Sequence, residues 1–522
     1  MRGALRIVPL ILVIMIAMVP LATDNVRAET YGDFEYTVSD GTVKITKYVG
    51  SGGSVTIPSE INGMPVTSIG ERVFYYCSKL TSIDIPDSVI SIGSRAFYEC
   101  SYLTNINIPD GITSIGNYAF YGCRSLTSIA IPDGVTIIGD YTFSGCSRLT
   151  SINIPENVTS IGSSAFKDCS YLASINIPQN VTSIGNYAFY YCSSLTSIII
   201  PDGVTSISYR AFSFCSKLTS IDIPDSVISI GDYAFYECSS LTSITIPDGV
   251  TSIGIHAFSY CRSLTSIIIP DGVTSIGSRA FYECSSLTSI TIPDGVTIIS
   301  NYAFSYCSSL TSITIGNGVT SIGDYAFFGC SKLTSITIPE NVTSIGHSVF
   351  SYCDSLTSLY FMGDAPTELG AWGNINPNLE AYYIEGATGF DSTSWGKVKT
   401  IAMTFPATPL PAEVPISGKV VDTDGNGLKG VKVSLENGTS VTTGDDGSFS
   451  IMASQGEHTL TFSGDKIEET TKSVTVDGDL DLSSVTVTLR EDGGDNAMLL
   501  AAVVGVIAVV IVAAFIFVRM KK

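Results

Sequence analysis

The stretch 241–261, LTSITIPDGVTSIGIHAFSYC, decides the fold, because it recurs along the chain with a period of 23 residues. All thirteen cysteines keep that step, from Cys77 through Cys100 and Cys123 to Cys353. A tandem unit of roughly 20 to 29 residues is the length of one coil in a stacked solenoid. Counted from each Cys, Leu follows at the third position in every repeat, Leu80 to Leu356. Ile follows at the sixth and eighth positions in twelve repeats, replaced by Leu359 and Phe361 in the last. The sixth and eighth positions share one face of a strand, so they face a core and the fifth and seventh face outward.

A Pro usually ends this strand, since it cannot donate to a ladder. Asp-Gly then turns the chain, and Val-Thr-Ser-Ile supplies a second short extended piece. Before each Cys stand an Ala in most repeats and a Phe in all thirteen, Phe74 to Phe350, a pattern that predicts one brief helical turn. A unit with one apolar side cannot bury it alone, so neighbouring coils must cover it. The expected result is three stacked columns, of Phe, Cys and Leu/Ile. The cysteines are odd in number, and stacked parallel side chains would sit about 4.8 Å apart, beyond the roughly 3.8 Å of a disulfide. They are expected to be buried free thiols. Metal binding lacks the paired Cys or Cys/His spacing it needs, and no metal or cofactor is expected.

The ends suggest export. Arg2 and Arg6 precede an apolar run from Ile7 to Leu21, and Val26-Arg27-Ala28 offers a cleavage point, so 1–28 reads as a signal peptide, with an N-terminal anchor as the alternative. The 22 residues 497–518 carry no charge, about 33 Å as a helix, enough to cross a bilayer. The basic tail 519–522 follows at once, which orients it to the cytoplasm and the rest outside. The expected location is therefore the cell membrane, single-pass. A net charge of −21 argues against nucleic acid as a partner. Only 14% of residues are charged, so the surface is mostly uncharged and polar, which suits protein or glycan contact.

The organisation reads as a hairpin cap at 29–54, strictly alternating around Asp40-Gly41, then the solenoid at 55–355 and an aromatic C-terminal cap at 356–403. The linker 404–415 has Pro406, Pro409, Pro411 and Pro415. Alternating β patterns over 416–491 suggest a β-sandwich stalk. Within it, Asp422-Thr-Asp424-Gly-Asn426-Gly427 begins like a calcium loop, but Val433 stands where the bidentate Glu should be, which favours a plain turn.

On these residues (Val55-Thr-Ile57-Pro58, Val66-Thr-Ser-Ile69-Gly70, Phe74, Cys77 and their repeats) the segment 32 to 400 resembles BspA-like leucine-rich repeats of microbial surface proteins. The resemblance implies a right-handed β/α solenoid with adhesive or host-contact roles, and no catalytic residues. ISGKVVDTDGNGLKGVKVSLENG, residues 416–438, resembles carboxypeptidase-regulatory-like or Cna-B-like modules, which implies a stalk.

Candidate binding residues are those the core does not dictate. On the outward strand face they are Asp84, Asn107, Asn153, Asn176, Asp222, Thr245, Thr291, Thr314 and Thr337. On an aromatic strip two residues before Cys they are Tyr98, Tyr121, Tyr190, Tyr236 and Tyr282; tyrosine gives contact area at little entropic cost. Asn157, Asn180, Asn341 and Asn437 form glycosylation sequons. His256, His347 and His458 match no nucleophile or metal pattern, so no enzyme is expected. The sequence thus predicts a membrane-anchored surface protein for adhesion or protein and glycan binding. The alternatives are a structural envelope component without a specific ligand and, more remotely, a surface hydrolase.

Overall fold

The computed structural model describes residues 28–391, 395–403, 414–435, 439–453, 456–464, 467, 470–476 and 480–487. The segments 1–27, 404–413 and 497–518, and with them most of the signal sequence, the Pro-rich linker and the apolar span, lie outside these residues. Among the described residues no helix is long and apolar enough to cross a membrane.

The 23-residue step becomes the register of parallel β-ladders. Ile129 pairs with Ile152, Thr291 with Thr314, and Ser68, Ser91 and Ser114 follow one another on a second ladder. The first ladder holds strands such as Leu80–Asp84 and Ser335–Ile338, and the second holds two-residue pieces such as Ser91–Ile92. Their core-facing isoleucines, six and eight residues after each Cys on the first ladder, are almost wholly buried. Full burial of an aliphatic side chain stabilises by roughly 1.5–3 kcal/mol.

The third side of each coil corrects the sequence reading. No helical turn forms before Cys, and among the described residues the coil has no α-helix. Instead Arg72, Phe74 and Tyr76 donate their N–H groups to Ser94, Ala96 and Tyr98 of the next coil, at 3.0, 2.7 and 2.8 Å. A helix would need those donors for carbonyls four residues back. The chain escapes it by taking a left-handed conformation five residues and one residue before each Cys, as at Arg72 (φ 58°) and Tyr76 (φ 59°). The solenoid is thus β in character throughout, hydrogen-bonded between coils on three sides.

The interior columns run as expected. Phe74 to Phe350 stack with centroids 5.1–6.0 Å apart and planes within 10° of parallel. All thirteen cysteines are free, and only Cys77, in the first coil, is not fully buried. Each later thiol also donates to the carbonyl of the Phe 26 residues earlier, for example Cys215 Sγ to Phe189 O at 3.2 Å. Burial pushes the Cys146, Cys215 and Cys307 thiols up to about 12.

At the N-terminal end, strands Phe34–Ser39 and Thr42–Tyr48 form a hairpin around Asp40 (φ 51°) and Gly41 (φ 71°), and Tyr48 continues the Phe column. At the other end Trp372 stacks on Phe350, and Trp395 packs against Phe390 and donates Nε1 to Gly389 O at 3.1 Å. Beyond it, two sheets face each other around Ile416, Val433, Ile451 and Phe462 as a β-sandwich. One has the order Ser448–Ala453, Val414–Val421, Leu480–Thr486. The other runs Ser440–Thr442, Lys432–Leu435, Gly456–Ser463, Thr470–Val476. Asp422 Oδ1 is occupied by the backbone N–H groups of Asp424 and Asn426, at 2.9 and 2.8 Å, as a turn and not a cation loop requires.

Candidate functional site

Stacking at a fixed register carries each surface position into a column along the solenoid. The strand face places Asp84, Asn107, Asn153, Asn176, Asp222, Thr245 and Thr337 in solvent, while Thr291 and Thr314 are half-buried. Ile199 and Ile268, 62% and 50% exposed, interrupt this column with apolar patches. The threonines beside it do not offer bare hydroxyls: Thr104, Thr150 and Thr219 Oγ1 donate to carbonyls of the preceding coil at 3.0–3.2 Å.

The sequon amides are similarly engaged. Asn157, Asn180 and Asn341 Nδ2 donate to Asp133, Glu156 and Asn317 carbonyls at 2.8, 2.7 and 2.8 Å, stapling coil to coil. Asn437 lies outside the described residues.

The aromatic strip is more organised than its sequence columns suggest. Tyr98 and Tyr121 stack face to face at 4.6 Å, with Tyr75 4.9 Å beyond Tyr98. From Tyr190 onward the arrangement changes. Tyr190, Phe214, Tyr236, Tyr260, Tyr282, Tyr306, Phe328 and Tyr352 form one unbroken row, each ring edge-on to the next at 5.0–5.7 Å. Alternate members stand two residues and one residue before their Cys, so the surface repeat is 46 residues, twice the core period. The intervening positions two before Cys are Ser213, Ser259, Ser305 and Ser351, all buried. Ser213, Ser259 and Ser305 donate to a carbonyl of the following coil at 2.5 Å. A ring there would collide with its neighbours; a hydroxyl closes the gap. Reading the two columns together reveals this alternation in the sequence; reading them separately, as strips of tyrosine, hides it.

A third column, five residues before Cys, also escaped the sequence reading. It holds Tyr118, Tyr141, Tyr187, Tyr233, Tyr302 and Tyr325, interspersed with Arg95, Arg210 and Arg279. The guanidinium of Arg210 lies 4.4 Å from the Tyr233 ring centre, and Arg279 lies 4.4 Å from that of Tyr302. His256 stacks on Tyr233 at 4.6 Å, and burial, then Arg279 and Arg210, depress its pKa to about 4. Burial pushes Tyr98, Tyr121, Tyr190 and Tyr236 above the usual phenol value and Tyr282 to about 12, so these five phenols stay neutral.

The backbone beneath this band is strained. Of the left-handed positions in the thirteen coils, only Gly122, Gly145 and Gly329 are glycine; the rest carry residues such as Tyr187, Phe214, Tyr260 and Tyr306. Each such residue costs of order 1 kcal/mol relative to a relaxed conformation. Hollows beside the bands are open and shallow, such as one of about 420 Å³ lined by Lys44, Ser68, Glu71 and Ser91. Among the described residues no cluster of His, Cys, Asp and Glu could hold a metal ion.

The model of the BspA type leucine-rich-repeat region matches residues 67–196, 160–286 and 251–371, and that of the carboxypeptidase regulatory-like domain matches 415–490. A leucine-rich repeat protein from Bacteroides ovatus is 30% identical, with 72% of this chain and 100% of that one covered and a TM-score of 0.54. A leucine-rich cell surface protein from Faecalibacterium prausnitzii is 36% identical, with 66% and 97% covered and a TM-score of 0.48. No curated protein matches the chain.

Proposed function

Since the chain belongs to the BspA type leucine-rich-repeat family, we propose that it is an adhesive or ligand-binding protein of the cell surface, taking protein or glycan partners along the aromatic band. One observation carries the reading. Phe214, Tyr260, Tyr306 and Tyr352, every second ring of the row, occupy left-handed backbone positions where glycine would relieve strain, and with the rings between them they make a continuous, partly exposed row. Solubility and core packing ask for neither. Strain of this kind is retained where the side chain itself is used, and edge-exposed tyrosine is a common anchor in recognition. The exposed strand face, from Asp84 to Asp222, is a second, more polar contact strip. Export by residues 1–28 and anchoring by 497–518 complete the proposal, with the tail cytoplasmic.

Many modest contacts on a rigid row, multiplied over neighbouring copies, give avidity without a deep pocket. No chemical step is assigned to the chain, in keeping with relatives that are repeat proteins. The test uses the full-length protein on glycan and extracellular-matrix panels, beside a variant carrying Tyr236, Tyr260, Tyr282 and Tyr306 changed to Ser. A partner retained by the wild type should be lost by about 30-fold or more, as for removal of interface hot spots. Equal binding by a variant that keeps its fold would refute the band as the site. No binding at all, with the protein packed in ordered envelope arrays, would favour a structural role instead.

A further inference from the structure

The strand face is not uniformly open, and the part that is closed is closed by the chain itself. Met452 lies on strand Ser448–Ala453, where Phe449, Ile451 and Ala453 alternate into the core of the sandwich. Alternation sends Met452 the opposite way, toward the outside of its sheet. Yet it is only 6% exposed and belongs to no part of the sandwich core. Its sulfur instead meets Thr291 on the solenoid, with Oγ1 to Sδ at 3.6 Å. A second contact lies near Gly444, where a Cβ would stand 3.4 Å from the Ser243 Cβ.

The threonines of the solenoid record the same cover. Those four residues after Cys are exposed at Thr104, Thr127, Thr150 and Thr196, and again at Thr334, but half-buried at Thr242, Thr265 and Thr288. Thr219 and Thr265 donate to the preceding coil at 3.1 and 3.2 Å, whereas Thr242 Oγ1 is buried with no partner among the described residues. That pattern marks a surface occluded over about four successive coils, with the stretches on both sides left in water.

We infer that the β-sandwich of residues 414–487 is a built-in occupant of the strand face, closing over its edge between Ser243 and Thr291. An outside partner can use Asp84 through Ile199 freely, but reaches Thr242, Ser243 and Thr291 only by displacing the sandwich. The contact sets apart a gated middle stretch of one face from the open stretches on either side of it. It does not depend on the aromatic band, which lies on another side of the coil.

The distance near Gly444 supplies the test, because a disulfide needs Cβ atoms about 3.5–4.5 Å apart. In the full-length chain, Ser243→Cys with Gly444→Cys should oxidise to an internal bond at least about tenfold faster than Ser128→Cys with Gly444→Cys, since juxtaposition raises effective concentration. Ser128 holds the same strand position on an uncovered coil. Adding Thr291→Arg to the first pair should slow it toward the second. Independently of any introduced cysteine, peroxide should oxidise Met452 several-fold faster in the Thr291→Arg chain than in the wild type. Equal rates in the two pairs, bonds formed only between molecules, or Met452 oxidation unchanged by Thr291→Arg would overturn the inference.

Discussion

Replacing Phe212 with Ala should remove one rung of the interior column and lower stability by about 3–5 kcal/mol, the usual cost of truncating a buried aromatic. The side chain is fully buried, and its ring stacks on Phe189 at 5.4 Å and Phe235 at 5.6 Å. Each aromatic pair contributes about 0.5–1.5 kcal/mol beyond its buried area. Phe212→Leu keeps most of the apolar volume and loses both pairs, so it should cost about 1–3 kcal/mol. The difference between the two variants is the cavity that neighbouring coils fail to fill. Coils touch only adjacent coils, so the loss should stay local. Native-state hydrogen exchange would read it: the amides of Phe189, Phe212 and Phe235, each bonded to the next coil, should lose protection together, while those near Phe97 and Phe327 keep theirs. A loss below about 2 kcal/mol in Phe212→Ala, or protection lost evenly from end to end, would refute the nearest-neighbour account.

Three further outcomes are expected. A thiol reagent added to the folded protein should label Cys77 and leave the other twelve untouched until unfolding, because a buried neutral thiol is a poor nucleophile; rapid labelling of Cys215 would count against it. His256 should titrate near 4 in an NMR experiment. Because its folded pKa lies below the unfolded value of about 6.5, the neutral form is favoured on folding, and stability falls as pH drops from that value through 4; a midpoint near 6.5 would contradict the described packing. Ser259→Tyr should destabilise by about 1–3 kcal/mol through overpacking between Tyr236 and Tyr282, whereas Tyr260→Phe should cost less than about 0.5 kcal/mol, both measured by urea melts.

The core was legible because one spacing governs it. Phe, Cys, Leu and Ile recur at fixed offsets, and parallel stacking turns equal spacing into contact. The turn before Cys was misread for a physical reason: Ala-Phe has helical propensity, but the neighbouring coil offers Arg72, Phe74 and Tyr76 better acceptors than their own turn does. Glycine would have signalled left-handed backbone, yet Tyr and Arg stand there instead. On the surface, alternation along a strand set which residues turn away from the core, and seven of the nine strand-face candidates stand exposed. The occlusion of Thr291 was not legible, since it joins Thr291 to Met452, 161 positions away, with no shared pattern.

The doubled surface period limits how such a chain can change length. Excising two coils between Tyr190 and Tyr352, 46 residues, rejoins ring edge to ring face and leaves the row intact. Excising one coil, 23 residues, preserves every buried column yet sets Ser beside Ser or ring beside ring outside. Gain and loss of units in this half should therefore proceed by twos if the exterior matters, and by ones if only folding does.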